Sequence, residues 1–203
     1  MPATLPRFLA LGDSYTIGEA VAAHENWPST LARRLRQDNI PLDEPQIVAV
    51  TGWTTDELAQ GMDAAALTPP YDLVTLQIGV NNQYRGRPAD DYRGEFAGLL
   101  DRAIALAGDL AARVVVASIP DWGVTRFARD QGRDPARIGA ELDAYNALAC
   151  AEAERAGARF VDITGISRLH PALLAADGLH PSAAQYALWA QAIEAAARAA
   201  LRS

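Results

Sequence analysis

The hydrophobic pattern changes period repeatedly along the chain, from short apolar runs to stretches with helical spacing and back. Arg7 to Leu11 predicts a first strand, which ends at Gly12-Asp13-Ser14. Asn26-Trp27-Pro28-Ser29 opens a helix to about Gln37, with Asn26 as its cap and Pro28 in the first turn, where no backbone N–H is needed. Gln46 to Val50 is β-branched and reads as a second strand. Thr54-Thr55-Asp56-Glu57 has capping-box spacing and predicts a helix towards Ala66, stopped by Pro69-Pro70. Asp72 to Ile78 reads as a third strand, Tyr84 to Pro88 as a polar loop, and Asp90 to about Ala107 as a helix.

Arg113 to Ile119, carrying Val114-Val115-Val116, predicts a fourth strand that ends at Pro120. Residues 121–136, rich in Gly, Arg and Asp, read as a long loop suited to a lid or rim. A helix from about Pro135 to Ala156 is punctuated by Gly157, and Arg159 to Ile163 is a fifth strand. An irregular stretch reaches Pro181. Ser182 with Gln185 then predicts a cap for an alanine-rich final helix to about Leu201, whose Leu188, Trp189 and Ile193 supply a packing stripe.

Short apolar strands alternating with helices imply a parallel sheet buried on both faces between two helical layers, with right-handed crossovers. The fold class is α/β. No linker, composition break or internal repeat divides the 203 residues, so residues 1–203 read as one domain. A chain of this size buries roughly 70% of its unfolded surface, enough for a self-supporting core.

Composition narrows the function. A formal net charge of −7 disfavours nonspecific attraction to nucleic acid or anionic membranes. The single cysteine, Cys150, excludes an intramolecular disulfide and a thiolate zinc site. No apolar run approaches the roughly 20 residues of a membrane span, and the apolar run near Met1 is too short for a signal peptide. A cytoplasmic location is the expectation. Neither G-x-G-x-x-G after the first strand, nor G-x-x-x-x-G-K-[ST], nor G-x-S-x-G, nor H-E-x-x-H occurs, and no metal site is expected.

In open α/β sheets, ligands sit beyond the carboxyl ends of the strands. After the first strand, Ser14 either caps a helix or presents its hydroxyl above the sheet edge. After the second, Gly52 either turns the chain or lets the backbone approach a ligand. After the third, Asn81 and Asn82 either cap the next segment or offer an amide to a developing negative charge. Near the C-terminus, Asp177-Gly178-Leu179-His180-Pro181 places a carboxylate three residues before a histidine; His24 and His170 have no such spacing. Asp177 can hold one ring nitrogen of His180 and leave the other free as a base.

Four blocks in chain order, Gly12-Asp13-Ser14, Gly52, Gly79-Val80-Asn81-Asn82 and Asp177-Gly178-Leu179-His180, resemble those of the SGNH hydrolases, also called GDSL-type esterases and lipases. The resemblance spans almost the whole chain. It implies a flavodoxin-like, three-layer α/β/α sandwich with a five-stranded parallel sheet. It also implies Ser14 as nucleophile, His180 as general base and Asp177 as its orienting partner. The oxyanion hole would be the backbone N–H groups of Ser14 and Gly52 with the side-chain amide of Asn81. Two departures stand out: Tyr15 where the family often has leucine, and Asn82 where it commonly has aspartate.

The implied activity is a serine esterase acting on small or medium acyl esters through an acyl-enzyme, with a small-molecule ester as partner and no cofactor. Acyl transfer to an alcohol or sugar is one alternative, and a binding protein on the same scaffold another. Tyr15, Trp53, Tyr84, Trp122 and Phe127 are candidate pocket walls. Arg85, Arg87, Arg126, Arg129 and Arg133 are candidates for a polar rim.

Overall fold

The computed structural model describes residues 5–203; the leader reading rests in part on residues 1–4, which lie outside the described residues. Five strands, β1 (Phe8–Gly12), β2 (Gln46–Ala49), β3 (Leu73–Gln77), β4 (Val114–Ala117) and β5 (Arg159–Val161), form one sheet in the order β2-β1-β3-β4-β5. Every neighbouring pair is parallel. Apolar side chains fill both faces: Leu9, Leu11, Val74, Leu76 and Val116 are buried on one, Phe8, Leu73 and Val115 on the other, as a doubly covered parallel sheet demands.

The helices are α1 (Ser14–Ile17), α2 (Trp27–Gln37), α3 (Thr55–Ala64), α4 (Val80–Tyr84) and α5 (Ala89–Leu106), followed by α6 (Arg126–Asp130), α7 (Pro135–Ala156), α8 (Thr164–Leu169) and α9 (Ala183–Ala200). α2 packs on α9 on one side of the sheet, and α5 packs on α3 and α7 on the other. The result is a three-layer α/β/α sandwich of the flavodoxin-like kind. Among the described residues, no helix is long and apolar enough to cross a membrane.

Two local signals act as expected. Asn26 Oδ1 accepts the Ser29 N–H at 2.9 Å, and Glu57 accepts the Thr54 N–H at 2.8 Å. Others need correction. Residues 80–84 are a helical turn, so the polar loop begins only at Arg85. The 121–136 stretch is not one loop: it contains a 3₁₀ turn at Trp122–Val124 and α6, which Thr125 caps by accepting the Ala128 N–H. α8 interrupts the stretch before Pro181. Ser182 stands at the N-terminus of α9 without a side-chain capping bond; its N–H goes to the Leu173 carbonyl, and the Gln185 side chain donates to the carbonyls of His170 and Leu173 and does not reach back to it.

Candidate active site

The strand order reverses direction at β1: β2 lies on one side of it and β3 on the other, so the carboxyl end of β1 is the switch point where such sheets bind ligands. There the backbone must turn tightly. A side chain at Gly12 would overlap Thr16 and the Gln77 carbonyl, so only glycine lets α1 start this close to β3. Asp13 caps α1 by accepting the Tyr15 N–H at 3.0 Å, which makes Ser14 the first residue of the helix. Burial pushes the Asp13 carboxyl up to about 7, against the lowering effect of the Tyr15 N–H, and its second oxygen is buried without a partner.

Gly52, after β2, adopts φ +89°, and a Cβ there would meet nothing; glycine is needed for the backbone conformation, not for room. Gly79, after β3, has φ +125°, and a side chain would press into Tyr92 and Ile119. It opens α4 and so sets Asn81 in the first turn. Asn81 Nδ2 donates to the Trp53 carbonyl at 2.9 Å, which ties the third junction to the second and leaves one amide N–H uncommitted by that bond.

The turn at 177–180 is built by its own carboxylate. Asp177 Oδ1 accepts the N–H groups of Leu179 at 2.9 Å and His180 at 3.0 Å, while Oδ2 stands 2.6 Å from His180 Nδ1. Burial opposes ionisation of Asp177, but these hydrogen bonds together outweigh it and hold the carboxyl below its ordinary range. The Gly178 carbonyl accepts the Phe127 N–H at 3.0 Å, so α6 braces the turn. Tyr15, at the position where leucine is often found, meets the His180 ring edge-on at 5.7 Å and Trp189 at 5.9 Å.

These elements converge on a cavity of about 230 Å³ lined by Ser14, Gly52, Asn81 and His180. Asp177 does not line it and reaches it only through His180. Tyr15, Tyr84, Trp122 and Phe127 supply aromatic wall. Trp53 does not: its ring lies over Gly61, and its contribution is the carbonyl that holds Asn81. Asn82, next to Asn81, turns away from the cavity. Its Oδ1 accepts the Thr55 N–H at 3.1 Å and its Nδ2 donates to Thr55 Oγ1 at 2.7 Å.

The rim arginines separate by partner. Arg85 binds the Gly52 carbonyl at 2.7 Å and pairs with Glu57, Arg87 pairs with Asp56 at 2.6 Å, and Arg126 donates to the Ala176 carbonyl at 3.0 Å. Arg129 is exposed and lines no part of the cavity. Arg133 lies over Tyr84 and Trp122. Leu179 and Thr51 also line the cavity without having been singled out in the sequence, although both adjoin residues that were. Gln83 was missed as well; it accepts the Trp122 indole N–H at 2.8 Å and so fixes that wall. Among the described residues, no cluster of three or more His, Cys, Asp or Glu side chains could hold a metal ion.

Fold and cavity together define a serine hydrolase on an α/β/α sandwich. Residues 10–188 match the model of the GDSL-like Lipase/Acylhydrolase family, and the chain belongs to that family. It is a carboxylic ester hydrolase of the GDSL type. No curated protein matches it in sequence. Among solved structures it is similar to the psychrotrophic esterase EstA from Pseudoalteromonas sp., inhibited in that structure by monoethylphosphonate. The identity is 16%, with 98% of this chain and 100% of that one covered and a TM-score of 0.74. TesA is similar at 17% identity, coverage of 94% and 97%, and a TM-score of 0.73. Axe2, an acetylxylan esterase from Geobacillus stearothermophilus, is similar at 19% identity, coverage of 95% and 94%, and a TM-score of 0.70. At such identities the likeness is one of fold.

Proposed function

We propose that Ser14, His180 and Asp177 form the catalytic triad of a one-domain esterase for small or medium acyl esters. The observation that carries the reading is the 2.6 Å contact of His180 Nδ1 with Asp177, on a ring that lines one cavity with Ser14. With Nδ1–H held by the carboxylate, Nε2 is the basic nitrogen. Nε2 takes the Ser14 hydroxyl proton as Oγ attacks the ester carbonyl carbon. The oxyanion so formed is stabilised by the N–H groups of Ser14 and Gly52 and by the Asn81 amide, each donor worth about 3 kcal/mol.

His180 then returns its proton to the departing alcohol as the C–O bond breaks, leaving the acyl group on Ser14. Water attacks that acyl carbon with His180 again as base, and the proton passes to Ser14 Oγ as the carboxylic acid leaves. No cofactor enters the sequence of steps. A cavity of about 230 Å³ with aromatic walls suits a short acyl group better than a long chain.

The test is kinetic. His180→Ala should lower kcat by at least about 10³-fold, and Asp177→Asn by about 10²–10⁴-fold through the wrong tautomer, with unchanged circular dichroism. Turnover within tenfold of the parent enzyme in a folded His180→Ala variant would overturn the triad.

A further inference from the structure

A second, larger cavity of about 580 Å³ adjoins the first, and Tyr84 lines both. It lies between α4 and the start of α7. Its walls are more polar than those of the Ser14 cavity, with three arginines and two carboxylates among them. Most of these charges already have partners. Arg137 pairs with Glu141 at 2.8 Å, and Arg87 with Asp56 at 2.6 Å. Glu141 also accepts from Gln83 at 2.7 Å, and Asp134 accepts the N–H groups of Ala136 and Arg137 as the cap of α7.

Arg133 differs. Among the described residues it forms no ion pair, and its guanidinium carbon lies 5.3 Å from the Tyr84 ring centre and 5.4 Å from that of Trp122. Those two rings meet edge-on at 5.4 Å and themselves form wall of the Ser14 cavity. A cation–π contact uses none of the guanidinium N–H groups as hydrogen-bond donors to a carboxylate, so they stay open to a planar or tetrahedral oxyanion, which arginine can bind in bidentate fashion. Glu141, the carboxylate whose ionisation Arg133 favours across the cavity, is paired with Arg137, so in a chain of net charge −7 Arg133 is a cation with no ion pair of its own in the wall of the larger cavity, against two rings of the smaller one.

We propose that this groove is a substrate subsite and that Arg133 receives a carboxylate or phosphate carried by the ester at a distance from its scissile carbonyl. The proposal rests on the ester-hydrolase reading of the Ser14 cavity and names the substrate class of that same site: anionic esters.

Two matched pairs of substrates test it. Mono-4-nitrophenyl glutarate against its methyl ester puts the anion on the acyl side; 4-acetoxybenzoate against methyl 4-acetoxybenzoate puts it on the alcohol side. The parent enzyme should favour the charged member of at least one pair by roughly tenfold in kcat/KM, as expected for a charge-assisted hydrogen bond. Arg133→Ala should bring that ratio to about one, Arg133→Lys should keep part of it, and Arg129→Ala should keep all of it. Glutarate should also perturb Trp122 fluorescence in the parent protein and in Ser14→Ala, but not in Arg133→Ala. Ratios near one in both pairs for the parent enzyme, a ratio that survives Arg133→Ala, or no glutarate response in Ser14→Ala would overturn the subsite. If neutral esters are still hydrolysed in a Ser14-dependent way, the catalytic reading stands without it. Loss of all ester hydrolysis with the glutarate response intact would instead overturn the catalytic reading alone.

Discussion

Asn82 Nδ2 donates to Glu95 Oε2 at 3.3 Å, and the Thr55 hydroxyl bridges the same two side chains. The amide is thus matched to a glutamate thirteen residues on. A carboxylate at position 82, as the family commonly has, would face Glu95 with only the one Thr55 hydroxyl proton between them. The nearest compensating charge, Arg87, is 3.8 Å from Glu95 and already bound to Asp56.

Asn82→Asp should therefore destabilise the fold by about 2 kcal/mol at neutral pH, and Glu95→Gln in the same chain should recover most of the loss. Thermal melts of the single and double variants check this. An Asn82→Asp protein as stable as the parent would show that the position tolerates the charge.

Asn81 is expected to behave differently although it is adjacent. Its amide lines the cavity while Asn82 points into the Thr55–Glu95 cluster. Asn81→Ala should lower kcat by about 10²–10³-fold with little change in KM, since an oxyanion donor acts mainly in the transition state. Asn82→Ala should instead cost about 1–3 kcal/mol of stability, because the buried Thr55 N–H loses its acceptor. The reverse pattern in kinetics and melts would reassign the donor by one residue.

Asp13 gives the protein a pH dependence of stability. Its carboxyl rises from an ordinary 3.8 to about 7 because burial disfavours the charged form. Between those values the folded state keeps a proton that the unfolded state has released. The stabilising contribution is complete below about 3.8, falls as pH rises, and is gone above about 7. Asn at this position keeps the acceptor for the Tyr15 N–H and carries no charge. Relative to the parent, Asp13→Asn should gain on the order of 2–4 kcal/mol of stability between pH 4 and pH 8. A stability difference that does not change with pH would show that Asp13 ionises normally.

Much of this was legible where the physics is local. Apolar runs marked all five strands, Asn26 and the Thr54–Glu57 box marked helix starts, and the Asp177–His180 turn closes within four residues. What escaped depends on partners distant in sequence. Gln185 does not complete a cap with Ser182; its side chain donates to the carbonyls of His170 and Leu173. α4 and α6 are single helical turns, too short for periodicity to reveal; Gln83 holds one to Trp122, and the Phe127–Gly178 hydrogen bond holds the other to the Asp177–His180 turn. Trp53 was misplaced because its ring packs on Gly61, a neighbour within its own helix–loop unit, while its backbone serves the site.

The triad is tested most directly by covalent capture. A serine-reactive phosphonate, followed by proteolysis and peptide mass mapping, should place one adduct on Ser14. Labelling should vanish in Ser14→Ala and slow by orders of magnitude in His180→Ala, which lacks the base. An adduct on another residue, in a Ser14→Ala protein that still hydrolyses esters, would contradict the assignment of Ser14 as the nucleophile.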